Sequence, residues 1–235
     1  MLESNLIGSF RMDLLIFDLD GTLIDSKLDL AHSVNAMRVH MGLPALANEL
    51  ISTYVGAGAQ VLMQRALGAD ASDEDIEKAL DYFLIYYDEH KLDNTRAYPG
   101  IPEALAELQR GGVRMAVLTN KPVRISGRIL EGLGLARYFA RVYGGNSFEQ
   151  KKPHPMGVEK LLAESGVPKE QTLMVGDSSV DIRTARNAGI RVCGVTYGFQ
   201  PETLSEDPPD ILLDRPEQLA ELVIAERGAK GGVRK

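Results

Sequence analysis

Short apolar runs rich in β-branched residues alternate with helical segments along most of the chain, and this alternation restricts the possible folds more than any other feature. The runs predict strands at Leu14–Phe17, Val113–Leu118, Arg141–Tyr143, Thr172–Val175, Val192–Val195 and Ile211–Leu213. The segments between most of them predict helices at Ile101–Arg110, Val123–Gly132, Pro155–Ser165, Val180–Ala188 and Pro216–Ala225. Such alternation predicts an α/β fold, a doubly wound parallel sheet with helices on both faces.

One long stretch, residues 29–96, interrupts this alternation. It shows only helical periodicity, and the sequence SDED at 72–75 is a good N-terminal cap for its last helix. Pro99–Gly100 then gives a turn signal before the sheet resumes. We therefore predict an all-helical cap domain inserted into an α/β core domain. The predicted parts are a flexible N-terminal extension at 1–11, the core at 12–26 and 97–228, the cap at 27–96 and a disordered tail at 229–235.

Composition excludes several classes of partner. The 235 residues carry a formal net charge of -7, and a negative surface would repel the phosphate backbone of nucleic acids. The single cysteine, Cys193, lies in an apolar run, where we expect a core residue, and it excludes an intrachain disulfide. No segment approaches the roughly 20 apolar residues of a membrane-spanning helix. We expect a cytoplasmic monomer or homodimer that binds neither nucleic acid nor membrane.

Polar residues follow the predicted strands at the edge where a doubly wound sheet binds its ligands. They fall in four short segments: Asp18-Leu19-Asp20-Gly21-Thr22, Thr119-Asn120-Lys121, Lys151-Lys152-Pro153, and Gly176-Asp177-Ser178-Ser179-Val180-Asp181. Acids, hydroxyls and cations should therefore gather at one edge of the sheet.

The three acids Asp18, Asp20 and Asp177 would repel each other at that edge unless a cation joined them. All-oxygen carboxylate sites favour hard ions, and Mg²⁺ is the usual choice beside a phosphate. We therefore predict a Mg²⁺ site made of these three residues. For Asp181 two interpretations stay open: it caps the helix that follows, or it supports the metal ligands from behind.

These motifs, in this order, resemble those of the haloacid dehalogenase superfamily of phosphohydrolases, over nearly all of residues 12–225. The resemblance is carried by Asp18 with Asp20, by Thr119, by Lys152, and by Asp177 with Asp181. It implies a Rossmann-like core, a Mg²⁺ cofactor and phosphoryl transfer through an aspartyl-phosphate.

The resemblance also implies a role for each residue. Asp18 would attack phosphorus, and Asp20 would protonate the leaving oxygen and then activate the hydrolytic water. Thr119 and the main-chain N–H of Asn120 would hold phosphate oxygens, and Lys152 would neutralise the charge on the transferring group.

Some members of the superfamily fit poorly. Dehalogenases lack the second acid, which is present here as Asp20. A phosphonatase needs a Schiff-base lysine from the insertion, but Lys27, Lys78 and Lys91 do not lie in the loop expected to reach the site. A sugar-phosphate mutase shares all four motifs and stays open.

The insertion matches the helical, C1-type cap class, and Tyr54–Gln60 is its candidate substrate-facing loop. Gly56 and Gly58 would allow a substrate close to the main chain, although an ordinary turn between helices explains them as well. Arg65 either binds a substrate carboxylate or forms an exposed salt bridge.

The segments VGAGAQVLMQRAL, YPGI, TNKP and KKPHP most resemble bacterial phosphoglycolate phosphatases. We therefore expect a phosphoric monoester hydrolase acting on a small phosphorylated metabolite, 2-phosphoglycolate. Alternatives are a sugar-phosphate phosphatase and a β-phosphoglucomutase-like enzyme. A receiver-like domain or a catalytically silent phosphate-binding protein is disfavoured by the chain length and by the presence of both Asp18 and Lys152.

Overall fold

The structure, a computed structural model, describes residues 11–205 and 207–228. All but one residue of the predicted N-terminal extension, and the whole predicted tail, lie outside these residues. The strands are β1 Leu14–Phe17, β2 Ile24–Asp25, β3 Arg96–Ala97, β4 Arg114–Leu118, β5 Arg141–Tyr143, β6 Thr172–Gly176, β7 Arg191–Val195 and β8 Ile211–Leu213. The helices are α1 Lys27–His40, α2 Asn48–Ser52, α3 Ala59–Leu67, α4 Asp73–His90, α5 Ile101–Arg110, α6 Val123–Gly132, α7 Met156–Ser165, α8 Ser179–Ala188 and α9 Glu217–Gly228.

Six of the strands form one parallel sheet in the order β5-β4-β1-β6-β7-β8. The predicted doubly wound α/β fold is thereby confirmed. Because β1 pairs with β4 on one side and β6 on the other, all four of its residues are buried. The acids that follow β1 are thus fixed at the middle of the sheet edge.

The sheet separates two hydrophobic cores, because successive strand side chains point to opposite faces. Leu15 and Phe17 pack into one core and Leu14 and Ile16 into the other. The first core continues into α5, α6 and α9, and the second into α7 and α8. Cys193 belongs to the first core and is fully buried, as predicted.

Helices α1 to α4 lie between β2 and β3 and pack on one another around α1 and α4. Their buried side chains, among them Met37 and Phe83, continue the first core of the sheet. The predicted N-terminal capping sequence of helix α4 is confirmed, since Ser72 and Asp75 form a reciprocal capping box. The exact division into core and cap domains stays a prediction.

A two-stranded antiparallel ribbon at the base of the inserted helices is missing from the sequence prediction. Ile24 pairs with Ala97 and Asp25 with Arg96, so the prediction that 29–96 holds no strand is wrong at its last residue. Two-residue strands are too short to show a period of two, which explains the omission. Among the described residues, no helix combines the length and apolar character that a membrane crossing requires.

Candidate active site

The predicted site residues meet at the carboxyl edge of the sheet because main-chain hydrogen bonds continue past the strands. The Asp18 N–H donates to the carbonyl of Val175 on β6 at 2.9 Å. The Thr119 N–H donates to the carbonyl of Tyr143 on β5 at 3.0 Å. The side chains that leave β1, β4 and β6 are therefore held by the sheet itself.

Three carboxylates form the centre of the site. Asp18, Asp177 and Asp181 each place an oxygen within 4.8 Å of the other two, and all three are buried or nearly so. Burial together with the neighbouring Asp181 and Asp18 carboxylates raises the pKa of Asp177 to about 8. Burial also raises the pKa of Asp18, to about 6, although Lys152 opposes the shift. Crowded, desolvated carboxylates of this kind are stabilised by a hard divalent cation.

The Asp177 side chain is held by the loop after β1 and by the loop after β7. The Thr22 hydroxyl lies 3.4 Å from Asp177 Oδ1, and the Phe199 N–H donates to Oδ2 at 2.6 Å. Gly21 has a left-handed backbone with φ of +84°, and a Cβ there would lie 2.2 Å from Asp177 Oδ2. Only glycine suits this position, both for its conformation and for its contact with the acid.

Lys152 lies between two of the acids. Its Nζ is 2.9 Å from Asp18 Oδ1 and 2.7 Å from Asp181 Oδ1, and its side chain is 2% exposed. Burial alone would lower the pKa of Lys152, but the two carboxylates raise it, so the ammonium stays charged. Asp181 also caps the helix that follows it, since its Oδ2 accepts hydrogen bonds from the Ser178 N–H and hydroxyl in a capping box of α8. Its support of metal ligands stays a prediction.

Asp20 is oriented differently from Asp18. Both of its carboxylate oxygens bind Lys121 Nζ, at 2.9 and 2.8 Å, and the Ser26 hydroxyl donates to Oδ1 at 2.5 Å. The structure therefore does not bring the Asp20 carboxylate into the group formed by Asp18, Asp177 and Asp181. The prediction that the Asp20 carboxylate is a metal ligand therefore has no support in this geometry.

Thr119 and Asn120 are buried and line a small cavity above the acids. The Thr119 hydroxyl oxygen accepts a hydrogen bond from the Lys121 N–H at 3.3 Å. The Asn120 amide group donates to the carbonyls of Gly56 and Lys152, each at 3.0 Å. Asn120 thus joins the sheet edge to the loop between α2 and α3.

The cavity, about 60 Å³ in volume, lies between the sheet edge and the inserted helices. Gly56 and Gly58 line it, which places the predicted loop against the site. Arg65 does not: it is exposed, and its guanidinium donates to the Tyr54 carbonyl at 3.1 Å. The prediction that Arg65 binds a substrate carboxylate therefore has no support in this geometry, since the side chain braces the loop from outside.

Four residues around the cavity received no role in the sequence analysis. Lys121 binds the Asp20 carboxylate, and the Ser26 hydroxyl donates to the same carboxylate. Gln200 donates to two carbonyls of the loop between α2 and α3, which we call the cap loop. Tyr87 on α4 faces Lys121. Lys121 could have been singled out, because it follows Thr119 and Asn120 at the end of a strand. The positions of the other three beside the cavity depend on how the inserted helices and the loop after β7 pack, and no sequence pattern shows this.

Comparison with known proteins agrees with this geometry. The haloacid dehalogenase-like hydrolase family model matches residues 15–195. Phosphoglycolate phosphatase from Vibrio parahaemolyticus is 40% identical over 217 residues, which cover 89% of this chain and 95% of that protein. Phosphoglycolate phosphatase from Pseudomonas putida is 39% identical over 86% of this chain and 76% of its own length.

Solved structures show the same relationship. The crystal structure of a predicted phosphoglycolate phosphatase from Haemophilus somnus superposes with a TM-score of 0.86 at 34% identity, covering 92% of this chain and 99% of that one. The resemblance to bacterial phosphoglycolate phosphatases and the predicted enzyme class, a phosphoric monoester hydrolase, are confirmed. The chain belongs to the haloacid dehalogenase-like hydrolase family.

Proposed function

We propose that the protein is a Mg²⁺-dependent phosphatase that hydrolyses 2-phosphoglycolate through an aspartyl-phosphate on Asp18. The observation that carries this proposal is the meeting of Asp18, Lys152 and Asp177 beneath a cavity lined by Thr119 and Asn120. Nucleophile, cation and phosphate-binding groups are then all within reach of one phosphoryl group.

The residues present fit a magnesium ion. Asp18 and Asp177 would hold it, since their crowded and buried carboxylates have raised pKa values that a divalent cation would lower. Asp181 is engaged with Lys152 and the α8 N-terminus, so it supports the pair from behind. When bound, Mg²⁺ would supply electrostatic stabilisation of the charge on the transferring phosphoryl group.

Asp18 acts as the nucleophile, because its carboxylate leaves the central strand directly below the cavity and is paired with Lys152. Formation of the Asp18–phosphorus bond breaks the bond from phosphorus to the ester oxygen. Lys152 remains beside the transferring group throughout, since Asp181 fixes its ammonium. Thr119 and the Asn120 N–H hold phosphate oxygens that carry developing charge.

Asp20 acts as the acid and then as the base. Its carboxylate also lines the cavity, yet it stands apart from the group that holds the metal, so it can exchange protons with the ester oxygen. It gives a proton to the leaving alkoxide, and it later takes one from the water that attacks phosphorus in the aspartyl-phosphate.

The names of the relatives support a small phosphorylated acid as the substrate. Relatives that cover most of this chain are named phosphoglycolate phosphatase. These observations support 2-phosphoglycolate as the substrate.

The test is phosphate release from 2-phosphoglycolate, glucose 1-phosphate and glucose 6-phosphate, each with Mg²⁺ and after chelation. We expect strong preference for 2-phosphoglycolate and loss of turnover without the metal. Substitution Asp18→Asn should lower kcat at least about 10⁴-fold, since a neutral amide cannot form the phosphoenzyme. Near-normal activity of that variant, or an isomerised sugar phosphate without free phosphate, would contradict the proposal.

A further inference from the structure

A second buried cation, Lys121, faces the cavity, and the mechanism proposed above gives it no contact with the substrate. We propose that Lys121 binds a carboxylate carried by the substrate next to its ester oxygen, and so makes the enzyme selective for phosphates of short hydroxy acids. This inference rests on the proposed phosphatase function and assigns the residue that recognises the leaving group.

The surroundings of Lys121 keep its ammonium charged although it is buried. Nζ lies 2.8 and 2.9 Å from the two Asp20 oxygens and 4.5 Å from the centre of the Tyr87 ring. Burial alone would lower the pKa of Lys121, but the adjacent Asp20 raises it. An ammonium has three N–H donors, and two of them face Asp20; the third is left for the Tyr87 hydroxyl or for a substrate acceptor.

The composition of the cavity wall leaves few other places for a second anionic group. Among the described residues that line the cavity, Lys121 is the one with a cationic side chain. Away from the acids the wall is largely apolar, with Leu30, Leu62, Phe83, Leu84, Pro122, Ile125 and Phe199. Solvent screens an ion pair only weakly in such surroundings. A substrate carboxylate would therefore be stabilised most by binding Lys121.

The covalent structure of a short acid phosphate matches this position. Asp20 must come within hydrogen-bond distance of the ester oxygen in order to protonate it. In a phosphorylated two-carbon hydroxy acid, the carboxyl carbon is two covalent bonds from that oxygen, each about 1.5 Å long. A cation bound to Asp20 is therefore within reach of the carboxylate.

The experiment compares 2-phosphoglycolate with 2-phosphoglycolamide, its neutral amide, by kcat/KM with Mg²⁺. The wild type should prefer the acid by roughly 100-fold, the size expected for one buried charge-assisted contact. In Lys121→Met that preference should fall to within about 3-fold, because any damage done through Asp20 affects both substrates and cancels in the ratio. Lys121→Arg should restore part of the preference.

Lys151→Met is the matched control, since Lys151 is an exposed lysine on the loop before α7 that does not line the cavity. It removes the same charge near the site and should leave the acid-to-amide ratio unchanged.

Equal preference of the wild type for acid and amide would overturn the inference, even if Lys121→Met failed to fold. So would an unchanged ratio in folded Lys121→Met, which would assign Lys121 to Asp20 alone. Absence of phosphate release from both substrates by the wild type would instead overturn the proposed phosphatase function. The two failures are therefore distinguishable.

Discussion

The two walls of the cavity are held in different ways. In the phosphate wall, Asp18 and Asp177 follow strand ends and Lys152 lies on the loop before α7, and contacts of 2.9 Å or less hold these side chains. The cap wall is a glycine-containing loop, residues 53–58, which receives neutral hydrogen bonds from Asn120 and Gln200. The difference suggests a rigid catalytic edge facing a wall that can separate from it to admit substrate.

Among residues that support the two walls without contacting the substrate, Asp181 should give the largest effect when it is substituted. Substitution Asp181→Asn leaves Lys152 buried with one carboxylate instead of two, so the ammonium is held less firmly beside the phosphoryl group. We expect kcat for 2-phosphoglycolate to fall about 100-fold, with a smaller change in KM. Steady-state phosphate release measures both constants.

The control for that substitution is Asp75→Asn. Asp75 occupies the same position in the capping box of α4, but it is only half-buried and its helix carries no predicted catalytic group. The substitution Asp75→Asn should lower the free energy of unfolding by no more than about 1 kcal/mol and should leave kcat unchanged. If the two variants lost activity alike, Asp181 would be no more than a helix cap.

The phosphate wall is also the part that the sequence predicts best. Asp18, Thr119 and Asp177 directly follow strands, and a parallel sheet brings its strand ends to one edge whatever the side chains do. Backbone position follows from strand order. The direction of a side chain does not, which is why Asp20 was grouped with the metal ligands although its carboxylate binds Lys121.

The cap wall is predicted less well for a physical reason. Arg65 lies on a helix with a clear period, but its contact is with the nearby carbonyl of Tyr54, which no period reveals. Gln200 reaches the cap loop across 145 residues of chain, and the β2–β3 ribbon is too short to leave a pattern. Such contacts depend on how the helices dock, and a single sequence carries little information about that.

A smaller effect, on the free energy of unfolding, should appear where α1 meets the segment that returns from the inserted helices to the sheet. Asp29 on α1 is buried and accepts hydrogen bonds from the main chain and side chains of Asn94 and Thr95. Substitution Asp29→Asn removes the charge and misplaces a donor, so we expect about 2 kcal/mol of destabilisation at pH 7. Urea unfolding measures this, and Asp25→Asn, an exposed acid with one hydrogen bond, is the control.

The stability difference between wild type and Asp29→Asn should depend on pH, because it follows from the pKa of Asp29. Burial alone would raise this pKa, but the hydrogen bonds from Thr95 and Asn94 lower it below its ordinary value of 3.8. The stabilisation is therefore fully present above pH 3.8 and is lost as the pH falls toward the lower pKa of the folded state. The gap between wild type and Asp29→Asn should be constant from pH 7 to pH 5 and narrow below pH 3.8. A gap that widens there would show that another group is responsible.

The smallest effect should come from loosening the cap wall at Gln200. Its amide group donates to the carbonyls of Thr53 and Val55 at 3.2 and 3.0 Å, and neutral hydrogen bonds of this kind contribute about 1 kcal/mol each. Substitution Gln200→Ala should therefore raise KM for 2-phosphoglycolate about 3- to 10-fold. The value of kcat should stay within about 2-fold, because every group of the phosphate wall keeps its partners.

Gln109→Ala provides the comparison for this change, since Gln109 also donates from its amide to a main-chain carbonyl, that of Arg137, but on α5 away from the cavity. It should leave both constants unchanged. A fall in kcat without a rise in KM for Gln200→Ala would mean that the loop positions reacting groups instead of closing over them. The two walls would then act as one rigid site, and the contrast drawn between them would be wrong.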